Sequence, residues 1–198
     1  PAVCVTKARA ARISSPSLRA RFTASSSDNR SVSPGAGRSV SAGAGAAGAA
    51  CGWGLLSHFE VPFWVAVPVA VIAMDFVIWL QHVMVHAVPA LWRLHQVHHA
   101  DLDYDLTTGA RFHPIEIALS MLIKFATISV LGPPVLAVVI FEVLLNASAM
   151  FNHGNIRLPA ALDRALRWVL VTPDMHRVHH SVEDDETNSN FGFNLPCW

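Results

Sequence analysis

The sequence has 198 residues, enough for one domain of ordinary size, and its composition is that of a membrane protein. It is 53% hydrophobic and only 14% charged, with a mean hydropathy of +0.40. Acidic and basic residues balance to a formal net charge of zero, which argues against nucleic acid as a partner. The three cysteines are scattered and form no CxxC pair, so neither a disulfide framework nor a thiolate metal site is expected.

Residues 1–55 form a leader that differs from the rest of the chain. It is rich in Ser, Ala, Gly and Arg, and up to residue 50 it holds seven Lys or Arg against one acid, Asp28. Apolar periodicity is lacking, which predicts low-complexity, disordered chain. The composition is typical of an organellar transit peptide. The alternatives to a transit peptide are a disordered tail and a wrongly assigned start of the sequence.

The first membrane-spanning helix is predicted over residues 61–80. At about 1.5 Å per residue, this apolar stretch reaches about 30 Å, the thickness of a bilayer core. Asp75 is an acid inside the span, where a carboxylate is costly and faces a partner or a cavity. It falls on one helical stripe with His82 and His86, so we predict that it orients a ligating histidine. An acid that snorkels or pairs two helices is the alternative.

Histidine is concentrated in three boxes, HVMVH at 82–86, HQVHH at 95–99 and MHRVHH at 175–180. Residues three or four apart share a helical face, so His82 joins His86, and His95 joins either His98 or His99. Imidazole is the commonest metal-binding side chain, and so many imidazoles exceed the needs of one tetrahedral zinc ion. The boxes therefore predict a two-metal centre whose catalytic, metal-binding residues are His82, His86, His95, His98, His99, His176, His179 and His180.

Two further apolar runs, residues 115–131 and 135–150, are separated by Gly-Pro-Pro at 132–134. The break predicts a membrane hairpin, which returns the chain to the side it left and lets the boxes meet. In the second arm, Glu142, Asn146 and His153 share one helical stripe that is predicted to lead to the site. His153 is therefore predicted as a ninth metal ligand.

Three other residues, Asp75, His113 and Asn188, are predicted to support cofactor binding. His113 precedes a proline, which restricts it to an extended or turn conformation, and it is either a ligand or a hydrogen-bonding neighbour of one. Asn188 in the C-terminal tail is a water-mediated ligand or a turn residue. Residues 158–171 are predicted to form an amphipathic helix on the membrane surface that leads into the third box.

Basic residues indicate which side of the membrane the metal centre faces. Between Phe112 and Ile156 the only basic side chain is that of Lys124. The segments that carry the histidine boxes, in contrast, hold six arginines: Arg93, Arg111, Arg157, Arg164, Arg167 and Arg177. Since basic residues are concentrated on the cytoplasmic side of membrane proteins, this distribution predicts a cytoplasmic metal centre.

With the boxes placed, the chain resembles the fatty acid hydroxylase and sterol desaturase superfamily of histidine-box membrane oxygenases. The phrases RLHQVHH, RFHPIE, LVTPDMHRVHHS and NSNFGFNLP are most similar to its bacterial sterol desaturase-like members. The resemblance implies an all-α, multi-pass membrane domain over residues 61–198, with two irons held by the nine histidines on the cytoplasmic face. It also implies that O2 serves as co-substrate and that a C–H bond of a sterol or fatty acyl lipid is hydroxylated or desaturated in lipid biosynthesis.

Electrons must come from a separate donor of the cytochrome b5, ferredoxin or reductase type, because no GxGxxG string follows a predicted strand, as a dinucleotide-binding fingerprint would, and the sequence has no CxxCH haem motif. The expected location is the bacterial inner membrane, or the endoplasmic reticulum or plastid membrane of a eukaryote. Zinc is an expected replacement for iron in purified protein.

Three alternatives stay open: a non-redox zinc enzyme, a metal-binding or transport protein without catalysis, and an inactive truncated relative. The domain is expected to be truncated at its C-terminus, because Cys197 stands where the family has an aromatic residue and the sequence stops at Trp198.

Overall fold

A computed structural model of the chain describes residues 53–101 and 104–198. Residues 1–52 of the predicted leader lie outside the described residues. Within the described part, the chain forms helices and connecting loops and no β-strand, which confirms the predicted all-α class. The α-helices are α1 (Leu55–His58), α2 (Phe63–Ala87), α3 (Pro89–His99), α4 (Pro114–Leu131), α5 (Val135–Asn152), α6 (Ala160–Leu166), α7 (Pro173–His179) and α8 (Asp184–Thr187), with a 3-10 turn at Thr108–Ala110.

Helix α2 is the longest element and carries the first histidine box. It begins after Pro62 and contains 25 residues, so it extends seven residues beyond the predicted end at residue 80. The apolar run ends there, but QHVMVHA contains no helix-breaking residue, and the helix stops only at Val88, directly before Pro89. Helices α2, α4 and α5 are each long and apolar enough to cross a membrane.

The predicted hairpin is formed by α4 and α5. Gly132 ends α4 with a left-handed φ of 59°, and its N–H donates to the Ile128 carbonyl. A Cβ atom at Gly132 would lie 1.9 Å from the Trp53 carbonyl oxygen, so only glycine fits this turn. Pro133 and Pro134 then separate the two arms.

The apolar core lies between α2 and the hairpin. Met74 and Ile78 of α2 pack with Ile128 of α4 and Phe141 of α5, and each of these side chains is less than 7% exposed. Other apolar residues of the same helices face outward, such as Leu122 at 66% exposure. An apolar outer surface on helices of this length suits contact with lipid.

An ion pair fastens the two arms of the hairpin to each other. Lys124 Nζ of α4 lies 2.8 Å from Glu142 Oε1 of α5, and their side chains are 14% and 9% exposed. Glu142 therefore faces Lys124, while Asn146 is exposed and donates to the Glu142 carbonyl. The predicted stripe from Glu142 through Asn146 to His153 therefore forms no polar path to the site: Glu142 pairs with α4, Asn146 bonds within α5, and only His153 joins the histidine cluster.

The surface helix predicted over residues 158–171 is shorter than expected. Helix α6 ends at Leu166, and the main chain extends by Val171, whose N–H donates to the Asn194 carbonyl at 3.0 Å. The β-branched residues Val169 and Val171 favour this change, since they lose side-chain freedom in a helix. Segment 171–172 instead lies beside the C-terminal residues.

The Lys124–Glu142 pair gives a first prediction. Lys124→Met leaves the Glu142 carboxylate buried without a cation, so we expect the free energy of unfolding to fall by about 3–5 kcal/mol. Adding Glu142→Met removes the unpaired charge, and we expect most of the loss to be recovered. Denaturant unfolding in detergent measures both changes. Leu122→Met, on the outer surface, is the matched control; a double variant no more stable than Lys124→Met would contradict the pairing.

Candidate metal centre

Nine histidines from four elements meet at one end of the helical bundle. They come from the last turns of α2, from α3, from the residue after α5, and from α7 with the residue that follows it. They fall into two groups, and in each group one nitrogen per residue lies within 4.8 Å of the others. Group A is His82, His86, His95, His99 and His179; group B is His98, His153, His176 and His180.

The second and third boxes each supply both groups. In α3, His95 pairs with His99 in group A, whereas His98 points into group B. The third box shows the reverse arrangement, because His176 and His180 belong to group B and His179 belongs to group A. The sequence left open whether His95 shares a site with His98 or with His99, and the structure places it with His99.

In group A, main-chain carbonyls fix the protonation of two rings. His82 Nδ1 lies 2.8 Å from the Phe191 oxygen, and His179 Nδ1 lies 2.8 Å from the Ser189 oxygen. A carbonyl oxygen only accepts, so each Nδ1 carries the hydrogen and each neutral ring presents a lone pair at Nε2. These two Nε2 atoms face each other at 3.0 Å.

A carboxylate fixes a third ring of group A. His95 Nδ1 donates to Glu116 Oε1 at 2.6 Å, and His95 Nε2 lies 3.2 Å from His82 Nε2. Glu116 is buried in the first turn of α4 and was not predicted from sequence. The signal was present in RFHPIE, where an acid at the start of an apolar span is costly unless it has a partner.

Group B has the same construction with other supporting groups. His98 Nδ1 donates to the Thr108 oxygen at 3.0 Å, and His153 Nδ1 donates to the Ala149 oxygen at 2.7 Å. Their Nε2 atoms are 3.2 Å apart, and His176 Nε2 lies 3.2 Å from His153 Nε2. Three ring nitrogens thus converge on one point here too.

This geometry fits metal ions. Opposed lone pairs repel unless a cation lies between them, and two nitrogens that share a metal at about 2.1 Å are separated by about 3.0–3.4 Å. Both ring nitrogens of His99, and Nε2 of His180, are buried with no hydrogen-bond partner among the described residues. Neutral imidazole is a ligand for iron, zinc and copper.

Burial keeps these rings in the metal-binding form. It lowers the pKa of His179 to about 3 and the pKa of His180 to about 2, and neighbouring imidazoles add to the effect because a second positive charge would be repelled. Burial also holds the pKa values of His98 and His176 well below their usual range. The rings are therefore neutral at neutral pH, as metal binding requires.

The three predicted supporting residues differ in their contacts. Asp75 lies about 10 Å along α2 from His82, too far to contact it directly, and accepts hydrogen bonds from the C-terminal residues. The His113 ring caps α4 by accepting from the Ile115 N–H at 3.2 Å. Asn188 is exposed and donates to the Asp184 carbonyl at the end of α8, and its side chain also lies within hydrogen-bonding reach of His86 in group A.

Tyr104 is a further neighbour of group B that was not predicted. Its hydroxyl donates to the Asn152 carbonyl at 2.7 Å, and its ring centroid lies 5.0 Å from that of His180 and 5.7 Å from that of His153. Burial raises the pKa of this phenol, so the hydroxyl stays protonated. No local sequence pattern distinguishes this tyrosine.

Acid should destabilise the metal-free protein. Because the pKa of a ring such as His176 lies well below the value of about 6.5 in an unfolded chain, its stabilising contribution is complete above that pH and is lost as pH falls towards the folded-state pKa. We expect the free energy of unfolding to drop by about 1 kcal/mol per such ring between about pH 7.5 and about pH 5.5.

Denaturant unfolding of chelator-treated protein at several pH values measures this drop. His176→Gln should flatten the dependence, and His58→Gln, at an exposed position, should not. A stability independent of pH would show that the rings are not held neutral.

The chain is similar to several curated proteins that are named as monooxygenases or hydroxylases. It is 30% identical to alkylglycerol monooxygenase of Xenopus tropicalis over 132 residues, which cover 64% of this chain and 27% of that protein. It is 26% identical to ornithine lipid hydroxylase OlsE of Rhizobium tropici over 145 residues, covering 72% of this chain and 43% of that protein. Human alkylglycerol monooxygenase is 28% identical over 134 residues, or 65% and 28% of the two chains.

The chain therefore spans between about a quarter and less than half of the length of these curated relatives. No solved structure matches it. Residues 67–198, two thirds of the sequence and the part that contains all nine clustered histidines, match the family model described as Fatty acid hydroxylase. This membrane protein belongs to the fatty acid hydroxylase family.

Proposed function

We propose that this chain is an O2-dependent di-iron enzyme that hydroxylates a C–H bond of a membrane lipid. One observation carries the proposal: two adjacent groups of neutral imidazoles present converging Nε2 lone pairs at the end of an apolar helical bundle. Relatives named as lipid hydroxylases and monooxygenases support the choice of reaction. The catalytic domain is taken as residues 61–198.

Group A would hold one iron and group B the other. Iron in such sites supplies the reduction of O2 and the attack on an unactivated C–H bond. In the overall reaction, one oxygen atom enters the C–H bond and the other leaves as water, so two electrons and two protons must come from outside. Glu116, which faces His95, is the carboxylate that balances part of the metal charge.

The half-buried members of the two groups define where the reactants approach. His86, His99 and His180 are only partly covered, whereas the other six rings are buried. His99 lies 4.9 Å from His86 and 4.3 Å from His180, measured between ring centroids, so the three form one continuous edge. We propose that O2 and the lipid reach both metals at this edge.

The membrane arrangement follows from the three apolar helices. We propose that α2, α4 and α5 each cross the bilayer and that the metal centre lies on the cytoplasmic face, where Arg93, Arg111 and Arg177 favour it. A lipid substrate then diffuses to the site within the membrane. Electrons come from a separate donor of the cytochrome b5, ferredoxin or reductase type.

The substrate class is a lipid with a polar head group. Alkylglycerol and ornithine lipid are the compounds in the names of two relatives, and both names denote oxygen insertion. We therefore favour hydroxylation over desaturation, and these two lipid classes over sterols as the first substrates to test.

Metal content tests the site. We expect about two irons per chain in protein purified from iron-supplemented cells, one for each group. His179→Ala in group A and His176→Ala in group B should each lower the content to about one, because each removes a ligand from one group. Elemental analysis measures this, with His58→Ala as the matched control at an exposed position. Two zincs that iron cannot replace would favour the non-redox zinc enzyme instead.

Oxygen incorporation tests the reaction. In membranes supplied with a ferredoxin and its reductase, ¹⁸O2 should place one labelled atom in an alkylglycerol or ornithine lipid, and the His176→Ala and His179→Ala variants should lose about 100-fold or more. Mass spectrometry of extracted lipids detects the product. An iron-loaded parent that consumes O2 but labels neither lipid would exclude both substrate classes; a parent without bound metal would overturn the proposed function.

A further inference from the structure

The strap, defined as residues 188–198, runs beside the metal centre and back along α2. It reaches group A through the Ser189 and Phe191 carbonyls at one end, and it meets Asp75 at the other through residues 194–198. We propose that Asp75 is a positioning residue for group A, which it holds in its metal-binding geometry through the strap. The inference rests on the proposed metal-binding function.

Asp75 is the anchor of the strap. The carboxylate is 3% exposed near the middle of α2, and it accepts hydrogen bonds from Asn194 Nδ2 at 2.7 Å, Trp198 Nε1 at 2.8 Å and the Leu195 N–H at 3.4 Å. A carboxylate inside an apolar helix is costly unless donors surround it. These three donors all belong to the strap, so the buried charge and the strap stabilise each other.

The other end of the strap fixes two rings of group A. The Phe191 and Ser189 carbonyls accept the Nδ1–H of His82 and of His179, which directs both Nε2 atoms inward. The Phe191 ring also packs against His82, His86 and His179, with centroids 5.1–5.6 Å apart. If the strap shifts, these two rings lose the partners that set their tautomer and orientation.

Group B depends on other segments. The Thr108 and Arg111 carbonyls support His98, and the Ala149 carbonyl supports His153. Among the described residues, the strap forms no hydrogen bond with a group B imidazole. Its links to this group are indirect: the Phe193 ring lies 6.1 Å from that of His176, and the Phe193 carbonyl accepts from Asn152 Nδ2, next to His153, at 2.9 Å. Release of the strap should therefore weaken the group A site far more than the group B site.

The difference between the two metal sites distinguishes a positioning role of Asp75 from a role in general stability. A residue that only holds the fold together would weaken both metal sites together when it is replaced. A residue that acts through the strap affects group A far more than group B, and its effect should be shared with Trp198, its partner 123 residues away in sequence.

The experiment is anaerobic Fe(II) titration of the metal-free full chain in detergent. The two binding steps are assigned with His179→Ala, which removes a group A ligand, and His176→Ala, which removes a group B ligand. We expect Asp75→Asn and Trp198→Phe each to weaken the group A step by about 10- to 100-fold and to leave the group B step within about threefold. In the double variant, the two effects should not add, since both break the same contact.

Trp79→Phe is the matched control. The Trp79 ring lies 6.4 Å from that of Trp198 in the same aromatic cluster, but Asp75 accepts no hydrogen bond from it. We expect this variant to leave both binding steps unchanged. Unfolding of each metal-free variant is followed in parallel by circular dichroism.

The outcomes are distinct. Equal weakening of both steps in Asp75→Asn, or unchanged binding in that variant and in Trp198→Phe, would overturn the role of Asp75 while the parent still binds two irons. A parent that binds no iron would overturn the proposed function and this inference with it. Selective loss of the group A step supports both.

Discussion

The candidate metal centre depends on hydrogen bonds in which Nδ1 of its rings donates, so that Nε2 keeps its lone pair. His82, His98, His153 and His179 each donate to a main-chain carbonyl, and His95 donates to Glu116. Each bond fixes a tautomer, and the Nε2 atoms then converge at 3.0–3.2 Å. Since backbone supplies four of these acceptors, the path of the main chain decides whether the rings bind a metal.

The same rule governs the polar side chains inside the apolar helices. Each buried acid of the spans has a partner from a different element: Asp75 from the strap, Glu116 from His95 of α3, and Glu142 from Lys124 across the hairpin. An unpaired carboxylate there would be costly, so these pairs specify which elements must be neighbours. Apolar surfaces alone allow one helix to shift along another, whereas these polar pairs fix the register between the elements.

The sequence predicted the three long apolar helices, the hairpin and the nine clustered histidines, because apolar run length, the Gly-Pro-Pro break and ligand spacing are local signals. It did not predict the hydrogen-bond partners of Asp75, since helical periodicity places it on the stripe of His82 but cannot show a strap 119 to 123 residues away. It missed the carbonyl acceptors because main-chain contacts carry no residue signature, whereas Glu116 was overlooked although RFHPIE places an acid at the start of an apolar run. The predicted polar stripe from Glu142 to His153 does not form because Glu142 pairs with Lys124, which the sequence pattern did not indicate.

Helical geometry explains why the second and third boxes contain three histidines and the first only two. At about 100° per residue, positions i+3 and i+4 lie on opposite sides of position i, so one short helix can direct rings into two adjacent sites. Helix α3 directs His95 and His99 into group A and His98 into group B, and the third box does the reverse. Because each of these two boxes supplies both groups, neither helix can rotate without disturbing both. The strap differs, since its two hydrogen bonds to histidine rings both go to group A, and a change in the strap therefore acts first on that group.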